Sequence, residues 1–142
     1  MLAARTPMLY GDAALEPVLI RWRQQLNENA KRLCNRHVFP EMNHNELVGW
    51  ESGDATIATL FLHTSEDHPR TAERMRLCKA LFRDAGASVE EVSAAGSTRM
   101  QRWIHLVHLG DWLSLLMAEK AGVDAVDIRH IDYLKGELSK MT

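Results

Sequence analysis

Residues 56–63 read TIATLFLH. The run is β-branched and apolar, of strand length, and it barely alternates. A strand with one wet face alternates polar and apolar residues; one covered on both faces does not. TIATLFLH therefore predicts a strand of a parallel sheet with helices on either side. Working back, residues 7–10, PMLY, read as a short buried strand ending at Gly11. Leu15, Val18, Leu19, Trp22, Leu26 and Leu33 then recur at helical spacing, with Pro17 in the first turn, which predicts a helix to about Leu33. Residues 35–54 are polar and rich in Pro, Gly and Asn, so they read as mostly loop, with a short helix near 43–48. Working forward, Pro69 opens a helix that Ala85-Gly86 ends, and residues 88–94 form another strand. Residues 99–121 are the longest helix, apolar on more than one stripe, and so expected to be buried on more than one side. Gly122 suits its end. A last amphipathic helix over 127–139 carries Ile128, Ile131, Leu134 and Leu138 on one face. Alternating strands and helices give the α/β class, a mainly parallel sheet flanked by helices.

The 142 residues suit one domain, residues 1–142. A net charge of -2 supplies no general attraction for nucleic acid or for a membrane. The longest apolar stretch is interrupted by His105, His108 and Asp111, so no segment suits a bilayer. The opening MLAARTPMLYGD lacks the basic and apolar regions of a secretory leader. Cys34 and Cys78 form neither a disulfide framework nor a CxxC pair, so reduced thiols in the cytoplasm are expected.

The chemistry gathers in residues 27–46, NENAKRLCNRHVFPEMNHNE. Glu28 follows the core residue Leu26 by two positions, about 200° round the helix, and so points away from the core. Lys31 and Arg32 follow at ion-pair spacing, and periodicity alone reads Glu28 as a solvated helix residue. His44 lies between Asn43 and Asn45, with Glu41 and Glu46 nearby, and reads locally as a loop histidine. No HxxxH or Cys/His pattern supports a metal there, and His105 and His108 are only a helical pair. No nucleophile elbow is present. A Glu and a neutral His can nonetheless pass protons to and from a sugar, with Asn27, Asn43 and Asn45 holding hydroxyls.

NENAK followed by PEMNHNELVGWE resembles the C-terminal half of the bifunctional phosphoglucose/phosphomannose isomerases, of the sugar isomerase (SIS) fold. PMLYG with RWRQQLNENAK, and the tail LGDWLSLLMAEKAGVD with IRHIDYLKGEL, are similar to that family in the same order. The resemblance implies a SIS-type layered fold, the C-terminal half only. It implies interconversion of glucose 6-phosphate or mannose 6-phosphate with fructose 6-phosphate through a cis-enediol, with no cofactor. Glu28 matches the base that shuttles the proton, and His44 the ring-opening histidine, supplied in that family by the neighbouring subunit of a dimer. Lys135 in YLKGEL matches a lysine near the substrate, although on periodicity it is a solvated residue of the terminal helix. Glu41 and Glu46 are assigned to holding the loop. Ala125 stands where that family carries Pro after the Asp.

The first SIS subdomain of that family, with its Ser/Thr-rich phosphate loop, has no counterpart here. Ser65-Glu66-Asp67 would repel phosphate, and Ser97-Thr98 reads as an ordinary helix cap. The chain is thus expected to be one half of an isomerase. The missing half would lie elsewhere in a longer protein or on another chain, and an exposed apolar surface is expected where it docks. A non-catalytic phosphosugar-binding module and a dimerisation module are the alternatives.

Overall fold

The computed structural model describes residues 5–141; residues 1–4 and 142, and with them the start of the leader reading, lie outside the described residues. Four strands, β1 (Thr6–Asp12), β2 (Asn35–Phe39), β3 (Ile57–His63) and β4 (Ser88–Ser93), form one sheet in the order β2-β1-β3-β4. Every pairing is parallel. The helices are α1 (Glu16–Glu28), the single turn α2 (Glu46–Gly49), α3 (Pro69–Asp84), α4 (Arg99–Ala121) and α5 (Arg129–Leu138). TIATLFLH became β3, next to β1 in the middle of the sheet, and Ala58 to Leu62 are buried without interruption. Two cores follow. On one face Leu9, Leu60 and Leu62 meet Leu19, Trp22 and Leu26 of α1 and Leu106 of α4. On the other, Tyr10, Phe39 and Phe61 meet Met75 and Phe82 of α3, with Trp50 stacked on Phe82 at 3.7 Å between ring centres. Gly11 does not end its strand: β1 runs on to Asp12, whose side chain accepts the N–H of Ala14 at 2.9 Å and turns the chain into α1.

Three local expectations are corrected. Residues 35–39 are an edge strand, and only 40–54 is irregular, built of short helical turns around α2. Helix α1 stops at Glu28, because the Asn27 side chain accepts the N–H of Cys34 at 2.9 Å and Lys31 turns left-handed, at φ 54°. Leu33 keeps the helical spacing but is 86% exposed. Helix α4 is buried on one side only. Arg102, Leu106, Gly110, Ser114 and Met117 form that stripe, while Met100, Ile104, Trp112 and Leu116 stand in solvent. Helix α5 buries no residue.

The α1–α4 contact is polar as well as apolar. Trp22 donates its indole N–H to the carbonyl of Leu106 at 2.7 Å, Gln25 bonds Asp111 at 2.8 Å, and Asn29 bonds Ser114 at 2.9 Å. These bonds step along the last turns of α1 and hold its end in place.

Cys34, at the start of β2, is buried, and burial pushes its thiol up to about 12. The thiolate is the reactive form. Iodoacetamide at mildly alkaline pH is therefore expected to spare Cys34 in the folded chain and label it in denaturant. Equal labelling rates in the two states would mean that this corner of the core is open.

Candidate active site

The chain direction decides what can meet. Strands β1 and β2 are parallel, so α1 must run back from the carboxyl end of β1 to the amino end of β2. Glu28, at the close of α1, therefore lies at the amino edge of the sheet. Residues 40–45 leave β2 at the carboxyl edge and carry His44 there. Five residues of β2 at about 3.3 Å each separate the two edges by at least about 13 Å. Within one copy Glu28 and His44 do not meet.

Glu28 lines a cleft of ≈ 820 Å³ between the end of α1 and the segment that joins α4 to α5. Gln24, Asn27, Glu28 and Lys31 form one wall, and Asp124, Asp127, Arg129 and His130 line the other. Glu28 is exposed, as its helical phase requires, and the face turned from the core is the face turned to this cleft. Lys31 donates to the carbonyl of Glu28 at 2.5 Å and reaches the carbonyl of Ala125 at 3.4 Å. Asp127 is held low, at about 2, by hydrogen bonds first from the Arg129 side chain and then from its backbone N–H. Asn27 shares the wall, but its carbonyl oxygen is already taken by Cys34. Lys135 does not line the cleft; it is exposed on α5, one turn beyond Ile131, which does.

The PEMNHNE segment is built as a platform. Asn43 is half-buried, donating to the Cys78 sulfur at 3.3 Å and accepting from Arg74 at 3.3 Å, so it is committed to holding the segment against α3. Asn45 caps α2 through the N–H of Glu46. His44, between them, is exposed. Glu46 anchors the platform. Its carboxylate accepts the hydroxyl of the fully buried Tyr10, and His37 stands 3.7 Å from its other oxygen. Burial, and then the negative Glu46, push the Tyr10 phenol far up, so it is a permanent donor. Assigning Glu46 to the loop's support thus agrees with its contacts, whereas Glu41 is exposed. Glu46→Ala would leave a buried hydroxyl without its carboxylate, a loss of about 1–3 kcal/mol. A lower melting temperature is expected, and Tyr10→Phe in the same background should cause no further loss. A further drop in the double variant would show that the hydroxyl's second contact, with the Met8 sulfur at 3.8 Å, carries weight of its own.

The remaining candidates are occupied by the protein's own groups. Gln101 accepts the N–H groups of Ser97 and Thr98 in a capping box, so the start of α4 presents a filled cap. Glu66 pairs with Arg99 and with the buried Arg102. His105 accepts the N–H of Ala95, and His108 accepts the indole N–H of Trp112, so these two histidines serve separate contacts. Among the described residues no three His, Cys, Asp or Glu side chains converge as a metal would require. No helix among them is long and apolar enough to cross a membrane. Sequence reasoning missed Lys31, Asp127, Arg129 and His130 as cleft residues. Lys31 alone carried a signal, its place in NENAK beside Glu28.

The chain is similar to known proteins along most of its length. A bifunctional phosphoglucose/phosphomannose isomerase from Caldicellulosiruptor bescii is 35% identical over 141 residues, 96% of this chain and 42% of that protein. One from Aquifex aeolicus is 32% identical, over 94% of this chain and 42% of its own length. This chain thus spans about two fifths of the relatives it matches. Among solved structures, a glucose-6-phosphate isomerase like protein from Thermus thermophilus superposes with a TM-score of 0.73 at 23% identity, over 94% of this chain and 43% of that one. The C-terminal domain of glucosamine-fructose-6-phosphate aminotransferase from Francisella tularensis gives 0.70 at 10% identity, over 87% and 38% of the two chains. At such identities the likeness is one of fold. The model of the bacterial phospho-glucose isomerase C-terminal SIS domain matches residues 1–138, and the chain belongs to that family.

Proposed function

We propose that this chain is the C-terminal part of a sugar-phosphate aldose–ketose isomerase. It acts on glucose 6-phosphate and mannose 6-phosphate, giving fructose 6-phosphate through a cis-enediol. The observation that carries the reading is Glu28, a carboxylate of the NENAK motif on the wall of a cleft large enough for a hexose phosphate. In this reading Glu28 takes the proton from C2 of the open-chain aldose as O1 is protonated to give the enediol, then returns the proton to C1 as O2 gives up its own and becomes the ketone. His44 opens the sugar ring; its place at the opposite edge of the sheet from Glu28 supports its supply by a second copy, in a homodimer with shared sites. Asn27, through its amide N–H groups, and Asn45 from the second copy border the substrate, while Asn43 fixes the segment that presents His44. Lys135 reaches it from α5. The phosphate anchor comes from the first SIS subdomain, which docks on the apolar outer face of α4.

Binding energy from the phosphate orients the reacting carbons, so its loss slows the chemistry without removing the base. The test uses a partial reaction that needs no catalysed ring opening, because fructose 6-phosphate opens to its keto form in solution, and a high sugar concentration offsets the absent anchor. Fructose 6-phosphate at high concentration in D2O is incubated with the folded chain, and loss of the C1 proton is followed by NMR. Slow exchange that disappears in Glu28→Gln is expected. Binding of the sugar without any exchange would favour a phosphosugar-binding module. Neither binding nor exchange, with self-association intact, would favour a dimerisation module.

A further inference from the structure

Helix α1 ends unlike its neighbours. After α3 and at the end of α4 the left-handed position is held by glycine, Gly86 at φ 93° and Gly122 at φ 66°. After α1 it is held by Lys31, at φ 54°, the sole non-glycine residue at positive φ among the described residues. The left-handed turn lets the N–H of Arg32 reach back to the carbonyl of Leu26 at 3.1 Å. Glycine would make that backbone turn without the steric penalty that a Cβ brings. What glycine could not do is what the Lys31 side chain does. Its ammonium bonds the carbonyl of Glu28, which the end of the helix leaves without an intrahelical partner. The same group reaches across the cleft to the carbonyl of Ala125. The far wall has little else to hold it, since α5 buries nothing. One cation therefore links the turn that carries Glu28 to the segment that faces it.

We propose that Lys31 is a positioning residue, a clasp that fixes the Glu28 wall of the cleft against the α4–α5 segment. Backbone strain retained at one site is a mark of function when the side chain there performs a task that a relaxed residue could not. The proposal rests on the reading of Glu28 as the base. A plain stabilising role makes a different forecast. A cation at a helix C-terminus is mildly favourable, but glycine at a left-handed position is favourable too. For stability alone, Lys31→Gly should change little, and the chemistry should follow stability.

The experiment is the same deuterium exchange on wild type, Glu28→Gln, Lys31→Gly and Lys31→Arg, with melting temperatures and the dependence on sugar concentration. The clasp predicts that Lys31→Gly melts no lower than wild type yet exchanges about 10-fold or more slowly at saturation, as misplacement of a reacting group does. The sugar concentration giving half-maximal rate should stay within about 3-fold of wild type. Lys31→Arg, which keeps a cation of similar reach, should restore most of the rate. Lys31→Gly exchanging within about 2-fold of wild type, while Glu28→Gln is inactive, would overturn the clasp and leave Glu28 as the base. Glu28→Gln exchanging like wild type, or no exchange by wild type, would overturn the Glu28 reading and the clasp with it.

Discussion

Gly110→Ala is expected to lower the melting temperature by about 10 °C, the equivalent of roughly 3 kcal/mol in a domain of this size. Gly110 faces α1 from the middle of α4, and a Cβ built there would lie 2.6–2.7 Å from three atoms of the Trp22 indole. The indole cannot yield easily. Trp22 is 2% exposed, packed among Leu19, Leu26 and Leu106, and its N–H is spent on the Leu106 carbonyl. The added methyl group must either push the ring off that bond or push α4 off α1. Overpacking costs about 1–3 kcal/mol, and an unmade buried hydrogen bond adds about 1–3. Thermal unfolding followed by circular dichroism checks it. A shift under about 2 °C would mean that the two helices stand farther apart than the contact requires.

Glu28→Gln is expected to lower the exchange rate by about a thousandfold or more, since a positioned general base contributes about 10²–10⁴. Glutamine keeps the shape and the reach of glutamate but cannot carry the proton between C2 and C1. Glu28 is exposed and makes no side-chain contact that holds the fold, so the melting temperature should hold and sugar binding should persist. The loss would then lie in the chemical step. Survival of the rate within a few-fold would move the base elsewhere on the cleft wall, with Asp127 and His130 as the residues to change next.

The sequence was most informative where burial was complete. TIATLFLH has no wet face to disguise it, and it alone called for a parallel sheet between helices. NRHVF, by contrast, is an edge strand, and its Arg36, His37 and Val38 are only half-buried, so composition made it look like loop. The end of α1 was hidden for a different reason. Leu33 continues the apolar spacing, but the bond from Cys34 to Asn27 and the reversal at Lys31 take the chain out of the helix first. Helix α4 misled through its composition. Its apolar residues circle the axis, but among the described residues the fold covers one side. Of the candidate site, Glu28 and His44 were legible only as members of a motif that resembles a family's. That they lie on opposite edges of the sheet followed only from the direction of the strands. The wall formed by Asp127, Arg129 and His130 comes from residues about a hundred positions away, with no spacing rule to connect them to NENAK.

The order of the sheet bears on how the chain behaves in crowded solution. Strands β2 and β4 are its two edges, where backbone groups invite further strands. On β4 Glu90 is exposed and Glu91 is held by Lys79 at 2.6 Å, so a second β4 laid alongside would have to crowd these charged side chains. On β2 the strand stops at Phe39, and Pro40, which has no N–H to offer, follows at once. Neither margin can be knitted into a longer sheet cheaply, and the tendency to clump falls to the greasy outer side of α4. A more soluble version of the chain is therefore to be sought by changing Ile104, Trp112 and Leu116, 60%, 54% and 57% exposed, and not by adding charge to the strands.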